Sequence, residues 1–466
     1  MLPVLAGALL LLAGSPAWGY TVPDTRRDAA LARAAPPDSV PIEFAVAIDI
    51  DGAELAGQWT AGADGRHWSL PLHSPGAVSL SLRLPTGALP SGTRIDWSLP
   101  DGNHRHGPYL AAGSADDAVW TPVVPGSRAL LRITYPDAGE PPAPRQLTLF
   151  HGYRDTFGFS GAKDLGDSGD CNVDVACPEA GQWDDEVRSV ARLQIAGTRL
   201  CSGVLVNNLR QDLTPYVLTA DHCLIGPDAE DSPASSVVFY WNLQNASCGG
   251  DSRTADTSQT TSGASFVSDD VASDFTLLRL VQDPPLAYNL HHAGLDARRN
   301  APGNGVSIHH PSGDTKKISF YTGPASRARV DIGDGRVVDS WRVSWDQGTT
   351  EPGSSGAGLW NAGRRVVGLL SGGTASCSAP SDPDFFGRLE EAWEAGAASS
   401  AQLKAHLDPD ATCQLTIAGR DATAGPGASA SGTACASGES ESVGGSISLL
   451  SLLLLGAPAL IRRRRT

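Results

Sequence analysis

Three short stretches hold the side chains that nucleophilic acyl chemistry requires. "YVLTADHC" sets His222 just after an apolar run, "SDFTLLRL" sets Asp274 at the head of another, and "TEPGSSGAGLW" puts Ser355 inside Gly-x-Ser-Gly. A serine hydroxyl attacks a carbonyl only when a base takes its proton. An imidazole does this near neutral pH, and a carboxylate behind it fixes the tautomer and stabilises the imidazolium. Each motif alone is weak, but His, Asp and Ser in this order, 52 and 81 residues apart and each beside a strand, form a coherent set. A second Gly-Asp-Ser-Gly surrounds Ser168. It precedes His222, and no strand leads into it, so Ser355 is the better nucleophile on order and context.

The elements that must position these groups are strands. "SVARLQI", "LCSGVLVNN", "PYVLTA", "SVVFYWNL", "DFTLLRL" and "RRVVGLLSGG" are short, β-branched or aromatic-rich runs separated by turn residues, and "DPDFFGRLEEAWEAG" reads as a closing helix. Upstream, "IEFAVAIDI", "VSLSLRL", "ALLRITY" and "RQLTLF" alternate in the same way and form a separate β-rich unit without cysteine. Five cysteines fall in the next 85 residues, and this break in composition marks a boundary near 160–170. From about 401 to 443 the chain is rich in Ala, Gly, Ser and Thr, a linker composition that holds Cys413 and Cys435 as a possible pair.

An apolar content of 41% with 18% charged residues is globular, and a net charge of −16 excludes a nucleic-acid binder. Residues 1–19 hold an apolar run ending in Ala17-x-Gly19, which reads as a secretory signal peptide. Export places the eight cysteines in an oxidising compartment. At the other end, residues 444–466 hold Gly-Gly, an apolar run from Ser446 to Ile461 and four arginines. This tail resembles the GlyGly-type sorting tails of exported Gram-negative bacterial proteins. The resemblance implies export machinery and a rhomboid-like sorting protease as partners, transient membrane association, and a protein secreted or held on the outer cell surface. A plain tail anchor is the alternative.

The stretch from Gly166 to about Trp393 is similar to the lysyl endopeptidase family of secreted bacterial serine proteases. The features that carry the likeness are "GDSGDCNVDVACPE", "EVRSVARL", "LCSGVLVNN", "LTADHC", "YWNLQN", "SDFTLLRL", "IHHPSG", "TEPGSSG" and "FFGRLEEAW". It implies an all-β, double-barrel, chymotrypsin-like protease domain over 166–400, preceded by a separate β-rich pro-region over 20–165. It further implies His222 as general base, Asp274 as its orienting acid and Ser355 as nucleophile. The backbone N–H groups of Gly353 and Ser355 would form the oxyanion hole. The same likeness implies the pairs Cys171–Cys377, Cys177–Cys248 and Cys201–Cys223, and a mature N-terminus near Gly166. Where trypsin has an aspartate that captures a new N-terminal amine, this chain has Ser354, so activation runs differently.

Specificity is read the same way. Thr349 stands where trypsin carries its pocket aspartate. The resemblance places the carboxylate instead at Asp384, before Phe386-Gly387-Arg388, with Asp382 as a competitor. Ser371, Gly372 and Gly373 would wall the pocket and pair with the substrate backbone. The family carries a histidine where Ser371 stands. Only four lysines occur, Lys163, Lys316, Lys317 and Lys404. Lys163 is the only one in the first 315 residues and sits three before Gly166. This predicts self-cleavage after Lys163, with tail trimming after Lys404. The expected activity is a monomeric endopeptidase that cuts proteins or peptides after lysine, with no cofactor and no metal. His291, His292, His309 and His310 lack ligand spacing. A broader P1 preference, and a catalytically silent surface binding protein on a protease fold, are the competing readings.

Overall fold

The computed structural model describes residues 19–36, 39–111, 118–136, 142–158, 168–225, 232–333, 335–395 and 401–429. The expected signal peptide up to residue 18, the processing residues Lys163 and Gly166, Cys435 and the C-terminal tail lie outside these residues.

The N-terminal unit is a pair of antiparallel-rich sheets. One is built around Gly65–His73, Arg94–Ser98 and Arg128–Tyr135, the other around Ala45–Asp51, Ser79–Pro85 and Gln146–Gly152. Period-two alternation sends Trp68, Leu70 and Leu72 of one strand inward to meet Leu80, Leu82, Leu147 and Leu149 of the other sheet.

Two larger sheets follow. The first orders Thr260–Ser262, Val238–Trp241, Val190–Ile195, Arg199–Val206, Tyr216–Thr219, Phe275–Leu280 and Ala264–Asp270. The second runs from Val173–Asp174 through Lys317–Tyr321, Gly305–His309, Gly358–Asn361, Arg365–Gly373 and Asp384–Arg388 to the hairpin of Val337–Val343 and Ser326–Asp331. This is the all-β protease architecture expected. His222 and Asp274 belong to the first sheet's end, and Ser355 and Asp384 to the second. Among the described residues no helix is long and apolar enough to cross a membrane.

Two expectations need correction. "DPDFFGRLEEAWEAG" is not one helix: Asp384–Arg388 is a strand between Val337–Val343 and Arg365–Gly373, and only Leu389–Trp393 is helical. The aromatic pair Phe385-Phe386 suits a strand, and Phe386 is fully buried there. The expected linker of 401–443 is folded where described. Leu403–Leu407 forms a helical turn, Thr416–Ile417 pairs with Gly294–Asp296, and Leu403, Leu407 and Ile417 join the core. Three apolar side chains anchor a segment whose composition otherwise reads as spacer. Cys413 is disulfide-bonded, its partner lying outside the described residues.

The N-terminal unit also reaches into the first protease sheet. Ile42–Glu43 pairs antiparallel with Arg199–Leu200, and Phe44 N–H donates to Thr198 O at 2.9 Å. Beside it, Tyr240 OH accepts from Val123 N–H at 2.8 Å, and Gln194 Nε2 donates to Ser81 Oγ and Thr121 O, both at 3.2 Å.

Candidate active site

His222 sits in the single turn Asp221–Cys223 that ends the Tyr216–Thr219 strand. Its backbone N–H donates to Asp274 Oδ1 at 3.0 Å, and Nδ1 lies 3.1 and 3.0 Å from the two carboxylate oxygens. An ionised carboxylate only accepts, so Nδ1 carries the proton and Nε2 keeps its lone pair. Nε2 is buried and has no hydrogen-bond partner among the described residues. Asp274 is fully buried, with a left-handed backbone (φ 50°) at the entry to Phe275–Leu280. That is the tautomer and acceptor a general base needs.

Ser355 is brought to the same seam by backbone packing. Ser202 N–H donates to Ser355 O at 2.8 Å, and Ser202 Oγ donates to Gly353 O at 3.0 Å. Gly356 is the tightest point. A Cβ there would stand 2.3 Å from Thr219 Oγ1, 2.5 Å from Ser202 O and 2.7 Å from Ala220 N, and its φ is +81°. The glycine after the serine thus lets the loop lie against the strand end that delivers His222. No hydrogen bond joins Ser355 Oγ to Nε2 here, as is common before substrate binds.

The loop behind Ser355 is held by neutral polar groups. Ser354 Oγ contacts His309 Nδ1 at 2.8 Å, and His309 Nε2 contacts Ser319 Oγ at 3.0 Å. Burial, aided by the Lys317 charge, pushes the His309 imidazole down to about 3, so it stays uncharged. His310 is tied to Asp314 O at 2.9 Å, and its N–H reaches Ser202 Oγ at 3.1 Å. Both histidines, which lack ligand spacing in the sequence and read as structural, hold the loop in this way. Ser168, in the other Gly-Asp-Ser-Gly, donates to Asp314 Oδ2 at 2.7 Å and serves as a clasp.

Asp384 is 1% exposed, and its carboxylate accepts from Trp345 Nε1 at 2.6 Å, Thr350 Oγ1 at 2.7 Å and Ala375 N at 3.4 Å. No cation pairs with it among the described residues. Burial lifts it to about 6, against which the three donors act. Gly373 lies directly above, since a Cβ there would fall 1.9 Å from Asp384 Oδ1. Asp382, the competing carboxylate, is exposed. Ser371 is buried, its Oγ without a hydrogen-bond partner among the described residues, at the end of the Arg365–Gly373 strand.

A family profile described as "Lysyl endopeptidase, C-terminal domain" matches residues 165–387. A lysyl endopeptidase of Pseudomonas aeruginosa is 30% identical over 407 residues, covering 79% of this chain and 83% of the relative. The chain belongs to the lysyl endopeptidase family. It is a serine endopeptidase. Solved structures that resemble it include the active form of the Rv3671c protease from M. tuberculosis (19% identity, 45% of this chain and 80% of that one, TM-score 0.31). Another is the HtrA-type protease AlgW with tripeptide (16% identity, 47% and 62%, TM-score 0.33).

In this lysyl endopeptidase family member three disulfides brace the site: Cys171–Cys377, Cys177–Cys248 and Cys201–Cys223. The first joins the start of the protease unit to the loop that leads to Asp384. The third ties the His222 turn to the strand that contacts Ser355. One cluster of possible metal ligands forms among the described residues, Asp185, His291 and Asp421. The Arg188 guanidinium already donates to both carboxylates, at 2.6 and 2.8 Å, and supplies the positive charge there.

Proposed function

We propose that this enzyme is a secreted endopeptidase that hydrolyses the bond after lysine, and that it is made as a preproenzyme. Ser355 attacks the carbonyl, and His222 takes the hydroxyl proton and passes it to the leaving amine. Asp274 stabilises the imidazolium, and the N–H groups of Gly353 and Ser355 receive the oxyanion. Water then releases the acyl-enzyme by the same proton path in reverse.

The observation that carries the lysine reading is Asp384, a buried carboxylate with hydrogen-bond donors but no cation of its own. An unpaired buried charge is costly, and a substrate ammonium would relieve that cost. The enzyme's own lysines fit this reading. Lys316 Nζ is buried and donates to Val187 O at 2.7 Å, and Lys317 is buried and paired with Asp174. Neither can enter a cleft. Lys404 lies in a helical turn whose neighbours are core residues and is bonded to Glu394 at 2.9 Å, so trimming there needs local unfolding. Lys163 remains the junction, with the mature chain starting near Gly166.

The pro-region reading has its own support. Ile42–Glu43 occupies the sheet edge at Arg199–Leu200, and Ile42 Cγ2 would lie 3.6 Å from a Cβ on Gly353. A substrate's leaving-group side would need that edge for strand addition. The covered face mixes polar and apolar groups: Arg192 and Gln194 point into it, Arg192 donating to Thr156 O at 2.9 Å beneath the Phe157 ring, while Leu200, Val238 and Leu243 pack there with Ile42, Phe44 and Phe150. Secretion, the signal over 1–19, the rhomboid-like sorting step at 444–466 and protein substrates complete the reading.

Cleavage of a peptide library by the processed enzyme tests it, with Asp384→Asn in parallel. Cuts confined to lysyl bonds and lost in the variant are expected, and equal cutting after arginine refutes the lysine restriction. A fluorophosphonate probe that labels the parent but not Ser355→Ala separates an enzyme from a silent binding protein. N-terminal sequencing checks the junction at Lys163.

A further inference from the structure

We propose that Arg336 is a positioning residue. It latches the wall of the acyl-side substrate cleft onto the loop that carries His222. The proposal rests on the reading of His222 as general base and goes beyond it.

Ser326–Asp331 and Val337–Val343 form a hairpin whose second strand pairs with the one bearing Asp384, Val343 opposite Asp384. The far end of the same hairpin closes through Ile332 N–H to Arg336 O and Arg336 N–H to Gly333 O, both 3.0 Å. From there Arg336 crosses to the first sheet. Its Nη2 pairs with Asp221 Oδ2, and its Nη1 donates to Ile225 O at 3.1 Å. Asp221 is fully buried and directly precedes His222. Burial, with Asp274 and Asp269 nearby, pushes its carboxyl up to about 7 against the pull of Arg336. The guanidinium is thus the one cationic group bonded to Asp221 among the described residues.

The tip has a second contact. Ile332 Cγ2 lies 4.0 Å from where a Cβ on Gly372 would stand. Gly372 offers no side chain, so a peptide laid along Ser371–Gly373 meets its wall in Ile332. Held by Arg336, that wall has a fixed distance from the imidazole. A buried ion pair is weak evidence for stability, whereas two bonds from a hairpin tip to the base's own loop fix the relative placement of two site walls.

The test uses the full-length processed enzyme and two lysyl substrates with one leaving group: a blocked single lysine and a blocked tetrapeptide ending in lysine. Arg336→Met should lower kcat/KM about tenfold for the tetrapeptide, mostly through KM, with the single lysine nearly unchanged. Arg336→Lys should recover part of the loss. Asp221→Asn/Arg336→Met should recover none, because the latch is still absent. Ile332→Ala, at a partly exposed tip where folding is not at stake, should reproduce the tetrapeptide loss and add little to Arg336→Met. Equal loss on both substrates, full recovery in the double variant, or an unchanged tetrapeptide would each overturn the latch. Failure of the parent to label with fluorophosphonate would instead count against the protease reading itself.

Discussion

In the proposed function Asp384 serves binding at the expense of stability, and replacing it by asparagine should separate the two. In an unfolded chain its carboxyl ionises near 3.8, whereas in the fold burial lifts it to about 6. Between those values the folded state holds more protons, so the stability contributed by this residue falls as pH rises through the window. It stays low above pH 6. A rise of roughly two pKa units corresponds to about 3 kcal/mol at pH 8. Asparagine removes the charge. Its Oδ1 can keep the bonds from Trp345 Nε1 and Thr350 Oγ1, but its amide group faces Ala375 N–H and loses that longer contact. The net gain should be about 2 kcal/mol at pH 8, or about 5 °C in Tm. Function should move the other way. An ammonium about 4 Å from the carboxylate gains about 4 kcal/mol at an effective dielectric near 20, so kcat/KM for lysyl substrates should fall by about 1000-fold. Melting curves at pH 4 and pH 8 in a Ser355→Ala background, beside kinetics in the active background, measure both. A stabilisation that is the same at the two pH values, or a destabilised variant at pH 8, would refute the argument that this carboxylate is held ionised against its surroundings.

Other outcomes follow from the same geometry. Asp274→Asn can no longer hold a proton on Nδ1 of His222, and turnover should drop on the order of 10⁴-fold with folding intact by circular dichroism. Gly356→Ala places a Cβ within 2.7 Å of three polar atoms at a positive φ, so the chain should lose fluorophosphonate labelling and show a lowered melting temperature. Ile42→Asp puts a charge at a site that is 1% exposed against Gly353. The uncleaved full-length chain should then hydrolyse a peptide that spans both sides of the scissile bond, where the parent does not; equal rates in the two chains would remove the strand as the blocking element.

What was legible in the sequence follows from which constraints are local. His222, Asp274 and Ser355, the residues of the proposed triad, each carry their own context within eight residues. Asp384, the proposed pocket carboxylate, was picked out in the same way, by the Phe386-Gly387-Arg388 that follows it on one strand. Asp221 and Arg336 were not. Their meeting depends on a hairpin tip crossing from one sheet to the other, and the two residues are 115 apart in sequence. Gly356 was quoted as part of a motif, but its steric role appears only when Thr219 and Ser202 are packed against it. Arg192 and Gln194 alternate with apolar residues along Val190–Ile195. They are buried because the N-terminal unit covers them, and composition alone carries no sign of that cover.

The segment after residue 400 shows the limit of compositional reading most plainly. Ala, Gly, Ser and Thr dominate it, and entropy argues for a spacer. Yet Leu403, Leu407 and Ile417 are spaced so that one helical turn and one short strand bury all three against Gly294–Asp296 and the floor beneath Ser355's sheet. Asp408 then holds the loop that follows, accepting from Thr412 N–H at 2.8 Å and Cys413 N–H at 3.0 Å. Three large side chains thus tie the segment into the core that both protease sheets share. A search for isolated apolar residues at helical spacing inside a small-residue tract would have found this tie where average composition hid it.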